Sequence, residues 1–358
     1  MPRSFVFSFY LFTLAWLLAA VVCLHTAPGT FWPAGFIAMT MPVPLLLNLG
    51  FLLYWLFGKS VRVLLPVAVV FLTWGLHARS FSLNLLPQKA PDPDKTLTVL
   101  SFNVRIFNLY EHLRPDNRYD LSEKSIDWVK NFPADVFCLQ EFYNEPGHKV
   151  YGTVEKIWKG RGKYGFVSRS LVNGIGGQFG MAIFSKFPIV NKGSIEFGKL
   201  TQNHAMFADI KMGDDTIRVY NFHLQSMNIE EQDIVASYAG ENKGKMSRAR
   251  QLAVRLKGGF IKRSAQVDTL ISHFRKSPYP IIIGCDLNDT PYSYSYNRLH
   301  NLFGNAFVDA GNGFGSTYNG KLPFLRIDNQ FYSKHFKVTD FMVHTEIPYS
   351  DHFPVSAT

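Results

Sequence analysis

The first 90 residues hold no aspartate and no glutamate, and their only formal charges are Arg3, Lys59, Arg62, Arg79 and Lys89. A water-facing helix or sheet carries charge on its outer side, so a stretch this long without an acid does not read as the surface of a soluble domain. Polar breaks divide it into three apolar runs, residues 5–24, 32–57 and 61–78. Crossing a bilayer as a helix takes roughly 20 mostly apolar residues. The first two runs reach that length and the third is marginal, so three transmembrane helices are predicted within a membrane region of residues 1–80. A cleaved signal peptide is the alternative for the first run, but no small-residue cleavage site follows it and two more apolar runs do.

Lys and Arg near span ends tend to stay on the cytoplasmic side. Arg3 precedes the first run, Lys59 and Arg62 lie between the second and third, and the loop "HTAPGT" between the first two carries no formal charge. The amino terminus is therefore expected inside. With an odd number of crossings the remainder lies outside, which for a bacterium means a multi-pass inner-membrane protein with a periplasmic domain.

All 27 acidic residues and 32 of the 37 basic ones fall in residues 91–358, so this part is only mildly basic. Its apolar content is ample for a sizeable core. Three cysteines are too few for a disulfide framework, and no CxxC or Cys/His cluster exists. Cys23 sits in a span, while Cys138 and Cys285 sit in apolar runs, where core packing is the expected role.

"LPQKAPDPDKT" reads as a linker within residues 81–96, because its three prolines favour extended backbone. Short β-rich runs follow, alternating with longer polar segments. "TLTVLSFNV", "DVFCLQEF", "GMAIFSKFPIV", "MFADIKM", "TIRVYNFHLQ", "PIIIGCDL", "RIDNQFYS" and "FKVTDFMV" read as strands, and "SEKSIDWVKNF" as a helix. The spacing in "KMGDDTIRV" argues for an antiparallel hairpin. Strands outnumber helices, so residues 97–358 are expected to form mixed sheets covered by helices in one domain.

Polar residues recur at the ends of these apolar runs: Asn103, Glu141, His223, Asp286, Asn288, Asp328, Asp351 and His352. One strand-end acid is ordinarily a solvated edge, and a lone His223 would read as a satisfied core histidine. The repetition is what counts. The ordered series "SFNVR", "LQEF", "NFHL", "GCDLND", "RIDNQF" and "SDHFPV" resembles the endonuclease/exonuclease/phosphatase superfamily across residues 97–358.

That resemblance implies an α/β (α+β) fold, a four-layer sandwich of two mixed β-sheets flanked by helices. It also implies hydrolysis of phosphoesters with a divalent cation, magnesium first and manganese or calcium as alternatives. Carried over position by position, Glu141 becomes a metal ligand, with Asn103 beside it and Asp351 as a further one. Asp286 orients or deprotonates the attacking water, and Asn288 donates to the phosphate, as an ionised Asp could not. Asp328 pairs with His352 and fixes its tautomer. His223 stabilises the phosphate oxygens, and Asn103, His223 and Asn288 together bind substrate.

The sequence departs from the family pattern in places. Glu196 lies where many nucleases carry a second Glu, but in a different context. "QNHAMFADI" stands where several relatives have an Arg, leaving Asn203 or His204 for that place, and Gln330 and Phe331 replace the usual residues after "ID". The basic segment 243–263 carries an apolar stripe of Ala249, Leu252, Ala253, Leu256 and Phe260 and reads as an amphipathic helix, with Gly258 and Gly259 as a break point. Its outer face suits any polyanion or an anionic membrane surface. The expected partners are a phosphoester substrate, either nucleic acid or a lipid headgroup, and the membrane itself, with no obligate protein partner evident. A nuclease-like phosphodiesterase leads, a sphingomyelinase-type enzyme is the alternative, and an inactive scaffold on the same fold is the reading from another class.

Overall fold

A computed structural model describes residues 3–84, 95–113, 119–161, 164–198, 203–226, 245–320, 322 and 324–358. The amino-terminal part is helical: α1 (Arg3–Leu24), α2 (Pro33–Met39), α3 (Pro42–Phe57), α4 (Leu64–Leu72) and α5 (Trp74–Ala78). Two helices, Ser4–Leu24 and the nearly continuous Pro33–Phe57, are long and apolar enough to cross a membrane. The join between α2 and α3 falls at Thr40 and Met41, where Pro42 opens the next helix without needing a backbone donor. The third run is shorter than expected. Its apolar helix is Val61–Leu72, and the Thr73 hydroxyl turns back onto the Val69 carbonyl at 2.7 Å before α5 resumes.

Two six-stranded mixed sheets form the rest. The first runs in the order β13 (Phe341–Val343), β14 (Val355–Ala357), β2 (Val99–Asn103), β3 (Val136–Asn144), β5 (Gln178–Ser185), β4 (Tyr164–Val172). The second runs β10 (Gly304–Asn305), β12 (Asp328–Tyr332), β9 (Ile281–Asp286), β8 (Asp215–His223), β7 (His204–Met212), β6 (Ile189–Glu196). β2 and β3 are parallel, joined across α6 (Asp120–Asn131), and β8 and β9 are parallel, joined across α8 (Lys245–Phe274). All other pairs are antiparallel, including the β7–β8 hairpin read from "KMGDDTIRV". A parallel pair needs a long crossover, and the helices supply it.

The layers follow from which side chains each strand buries. Along β3, Val136 and Cys138 point between the sheets, where they meet Val99, Met206, Ile210 and Val219. Phe137 and Leu139 point the other way, onto Ile126 and Val129 of α6 and Ile157 of α7 (Thr153–Arg161). On the second sheet, Tyr220, Phe222 and Ile283 pack under Val267, Leu270, Ile271 and Phe274 of α8 and under Leu299 of α9 (Tyr294–His300). The result is the expected sandwich, helix on sheet on sheet on helix.

The sheets approach closely where β9 crosses β2 and β3. A Cβ on Gly284 would lie 2.8 Å from Cys138 Cβ and 3.1 Å from Ser101 Cβ, so only glycine lets the strands meet there. Buried amides stitch the layers nearby. Asn221 of β8 donates to the carbonyls of Leu139 and Ala182, both at 2.9 Å, and accepts from Gln140 at 2.7 Å. Gln330, noted in the sequence only as a departure, donates to the carbonyls of Val99 and Val355. All three cysteines are unpaired and buried.

The helical region docks on the sandwich. Gly35 faces Phe260 of α8, whose ring lies 2.4 Å from where a Cβ would stand, and Phe36 meets the same ring edge-on. α8 therefore runs unbroken through Gly258 and Gly259, contrary to the break expected there. Packing against α2 holds the turn that the glycines alone would weaken. Within the expected stripe Phe260 is buried while Ala253 is exposed, and residues 243 and 244 lie outside the described residues. Tyr292 joins the apolar cluster of Leu17, Leu24, Ala38 and Leu45. Arg79 is buried and donates to Asn297 Oδ1 at 2.9 Å and to the Pro291 carbonyl at 3.4 Å. Ser82–Leu83 forms a short strand, β1, paired with β11 (Asn312–Gly313), so the expected linker begins as docked structure; residues 85–94 lie outside the described residues.

A candidate active site at one rim of the sandwich

Parallel neighbours finish at the same end of a sheet, so β2, β3, β8 and β9 deliver Asn103, Glu141, His223 and Asp286 to one rim. Three adjacent strands place His223, Asp286 and Asp328 directly beside one another in register. Two carboxylates opposite each other repel. His352, from the loop before β14, relieves that repulsion. Its Nδ1 lies 2.9 Å and 3.1 Å from the two oxygens of Asp328, and its Nε2 lies 3.8 Å from Asp286 Oδ2.

Asp286 is the hub. Its Oδ2 accepts from the Asn103 amide at 3.0 Å and lies 3.4 Å from His223 Nε2, while Oδ1 accepts from the backbone N–H of Asn288 at 2.8 Å. That last bond closes a turn with Asn288 in the left-handed region at φ 49°, which asparagine tolerates. The Asn288 amide donates to the Leu224 carbonyl at 3.1 Å, which Asn203 also reaches at 3.0 Å.

Glu141 occupies the bulge where β3 slips register against β5, with a backbone φ of 47°. A glutamate there is strained by about 1–3 kcal/mol. The bulge turns its carboxylate to the rim, where Oε1 accepts from Asn103 at 3.2 Å and lies 3.8 Å from His223 Nε2. Asn103 thus directs its amide nitrogen at two carboxylates, and its Oδ1 accepts from the Arg105 N–H at 3.0 Å. Asp351 stands beside it, half-exposed, 3.7 Å from Arg105 Nε. Glu196 does not join the rim; it is exposed on the edge strand β6.

Burial alone would lower the pKa of His352, but the carboxylates of Asp328 and Asp286 outweigh it and hold the imidazole well above its ordinary value. Burial also raises the Asp328 carboxyl above its ordinary value, so the pair holds a proton more tightly than either group would alone. His223 Nε2 is buried and makes no hydrogen bond, though two carboxylates lie within 4 Å. An orphaned nitrogen facing a carboxylate pair marks a position that a further group would satisfy.

Two places could hold a cation. Asp286, Asp328 and His352 bring their donor atoms within 4.8 Å of one another, but all three are buried and already bonded as a relay. Magnesium keeps several waters and prefers one or two carboxylates. The partly exposed Glu141, on the rim beside Asn103 and His223, fits that requirement better.

Several contributors gave no sequence signal beyond being polar within apolar strands, Gln140 and Asn221 among them. The 311–326 loop was also missed. Thr317 Oγ1 accepts from the N–H groups of Ile327 and Asp328, Tyr318 bridges His352, and Asn319 N–H donates to the Asp351 carbonyl at 2.7 Å. Asp289, in the turn after Asn288, forms a buried pair with Arg263 at 3.0 Å.

A family model described as "Endonuclease/Exonuclease/phosphatase family" matches residues 100–352, and a domain of unknown function (DUF8431) matches residues 3–80. No curated protein matches. Among solved structures, an endonuclease/exonuclease/phosphatase from Beutenbergia cavernae is 16% identical with a TM-score of 0.51, over 73% of this chain and 70% of that one. A family member from Bacteroides vulgatus is 15% identical with a TM-score of 0.52, over 74% and 98%. A mannosyl-6-phosphatase from Bacteroides thetaiotaomicron is 17% identical with a TM-score of 0.50, over 74% and 99%. At these identities the likeness is one of fold.

Proposed function

This chain belongs to the endonuclease/exonuclease/phosphatase family, and from that premise we propose that it is a membrane-anchored, divalent-metal-dependent phosphodiesterase. The observation that carries the reading is the convergence of Asn103, Glu141, His223, Asp286, Asn288, Asp328 and His352 from six sequence segments onto one rim.

In this reading Asp286 orients the attacking water and accepts its proton, with the Asn103 amide holding the carboxylate in place. Asn288, fixed by Leu224, presents its side-chain amide to a phosphate oxygen. His352, kept protonated by Asp328, and His223, whose Nε2 lacks an internal partner, stabilise the charge that builds on the phosphate. Glu141, with Asp351 and Asn103, would hold magnesium, or manganese or calcium, whose chemistry when bound is to neutralise the phosphate oxygens.

We assign residues 1–80 to the membrane, 81–96 to a connection and 97–358 to catalysis. The packing supports a domain held outside. Arg62 lies 4.8 Å over the ring of Phe7, so the basic loop after α3 and the start of α1 share one end of the helical region. The sandwich docks at the other end, on Leu24, Gly35 and Arg79. In this reading the third apolar run, helical over 61–72 and resuming in α5, brings the chain back to that end.

The full chain in detergent with magnesium is expected to hydrolyse bis-p-nitrophenyl phosphate, and EDTA to abolish the reaction. A wild-type rate no faster than that of His352→Ala would overturn the proposal.

A further inference from the structure

Beside the docked helices, four large apolar side chains face water. Phe81 and Leu83 follow α5 directly, and Phe314 and Phe324 project from the 311–326 loop, 54% and 69% exposed. They form a row, with ring centroids 5.1 Å apart for Phe81 and Phe314 and 5.3 Å for Phe314 and Phe324. Local structure holds them outward. Phe314 stands between Gly313 and Gly315, both at positive φ, and Phe324 itself adopts φ 65°. A bulky residue in that conformation is strained, and an exposed one gains nothing from the core. Among the described residues these rings pack on one another and stay outside the buried core.

The row stands next to the end of the helical region, since Phe81 lies three residues beyond Ala78. The same loop is tied to the rim. Phe314 is three residues from Thr317, which accepts from Asp328 N–H, and Phe324 is four from Asp328. Extended chain covers at most about 3.5 Å per residue, so the site lies within about 10–15 Å of the row. A headgroup layer is roughly 5–8 Å thick on each side of the hydrocarbon core. Arg79, at the end of the helices, bonds the loop that follows Asn288, and its carbonyl accepts from Arg326, so both site loops are held to the membrane end.

We propose that Phe81, Leu83, Phe314 and Phe324 seat in the interfacial layer of the bilayer that holds the helices, and that the substrate is the phosphodiester of a lipid headgroup reached from that leaflet. This rests on the phosphodiesterase reading above. A water oxygen bonds to phosphorus, one ester P–O bond breaks, and the water's proton passes through Asp286 to the leaving alkoxide, so one water is consumed per bond.

The test uses the full chain in vesicles of phosphatidylethanolamine, phosphatidylglycerol and sphingomyelin. Because the native cysteines are buried, Phe324→Cys takes a nitroxide label selectively. The label is expected to relax with oxygen more than with a water-soluble nickel complex, and one at Asp214→Cys, on the hairpin at the far end, to do the reverse. Equal nickel access at both positions overturns the proposal, as does shielding at 324 that persists without lipid, which would mean a protein partner. Phe314→Ser with Phe324→Ser is expected to slow headgroup release by about tenfold or more, leaving bis-p-nitrophenyl phosphate turnover within about twofold, and Phe314→Trp to keep both. Wild type that cleaves the soluble ester but no vesicle lipid, or cleaves DNA or RNA faster than lipid, overturns the inference while the phosphodiesterase reading stands. Cleavage of none of these refutes that earlier reading instead.

Discussion

Replacing Asn221 with leucine tests the account of how the two sheets are joined beneath the rim. The Asn221 amide serves the Leu139 and Ala182 carbonyls where the bulge interrupts the β3–β5 ladder, and it receives Gln140 from the same strand. Leucine has the same branching, a larger volume and no polar atoms. Two buried carbonyls would lose their partner, at about 1–3 kcal/mol each, while the apolar side chain returns about 1–2 kcal/mol. At mid-range the net loss is about 2.5 kcal/mol. At about 2–4 °C per kcal/mol for a domain of this size, the unfolding midpoint of the detergent-solubilised chain should drop by roughly 5–10 °C. Intrinsic tryptophan fluorescence during a thermal ramp reads it. Gln140→Leu supplies a control, because its amide also binds Ser101 and Cys138. The double variant should cost less than the sum of the singles by about 1 kcal/mol or more, since each single leaves the other amide stranded. A midpoint within about 2 °C of wild type, or strictly additive singles, would refute the idea that this pair bridges the layers.

Asp328→Asn should lower kcat on the soluble ester by roughly 10–100-fold with KM little changed, because a charge-assisted bond that keeps the His352 ring protonated becomes a neutral one; equal kcat values would contradict the relay. Arg263→Met should destabilise by about 3–5 kcal/mol by leaving Asp289 buried without its partner, as read by denaturant unfolding. Acid should destabilise the protein through His300, whose pKa burial lowers to about 4. Between its unfolded value near 6.5 and the folded value, only the unfolded chain takes up the proton, so stability present above pH 6.5 is lost as pH falls toward 4. His300→Gln should therefore narrow the difference in unfolding midpoint between pH 7 and pH 5, and an unchanged difference would assign that loss to other groups.

The strand-end polar residues were legible because apolar runs ending in Asn, Asp, Glu or His keep their meaning without coordinates; the turn that brings Asn288 beside Asp286 was not. The layered architecture followed from the ordered motifs. The bulge at Glu141 was not legible, since its φ of 47° depends on register against β5, a contact with residues some 40 positions away. The Arg263–Asp289 pair and the burial of Arg79 were hidden for the same reason, as each joins segments far apart in sequence. Gly258 and Gly259 misled because local propensity predicts a break that packing against α2 prevents. The aromatic row left no periodic mark, being gathered from three separate stretches.

α8 has two tasks at once: it carries the chain from β8 to β9, and it is the surface on which α2 rests. A chain without its amino-terminal helices would bare Phe260 and Tyr292 and leave the crossover supported from one side only. Docking of α2 and support of the Asp286 strand thereby meet in a single helix, so loss of the first would be expected to loosen the second.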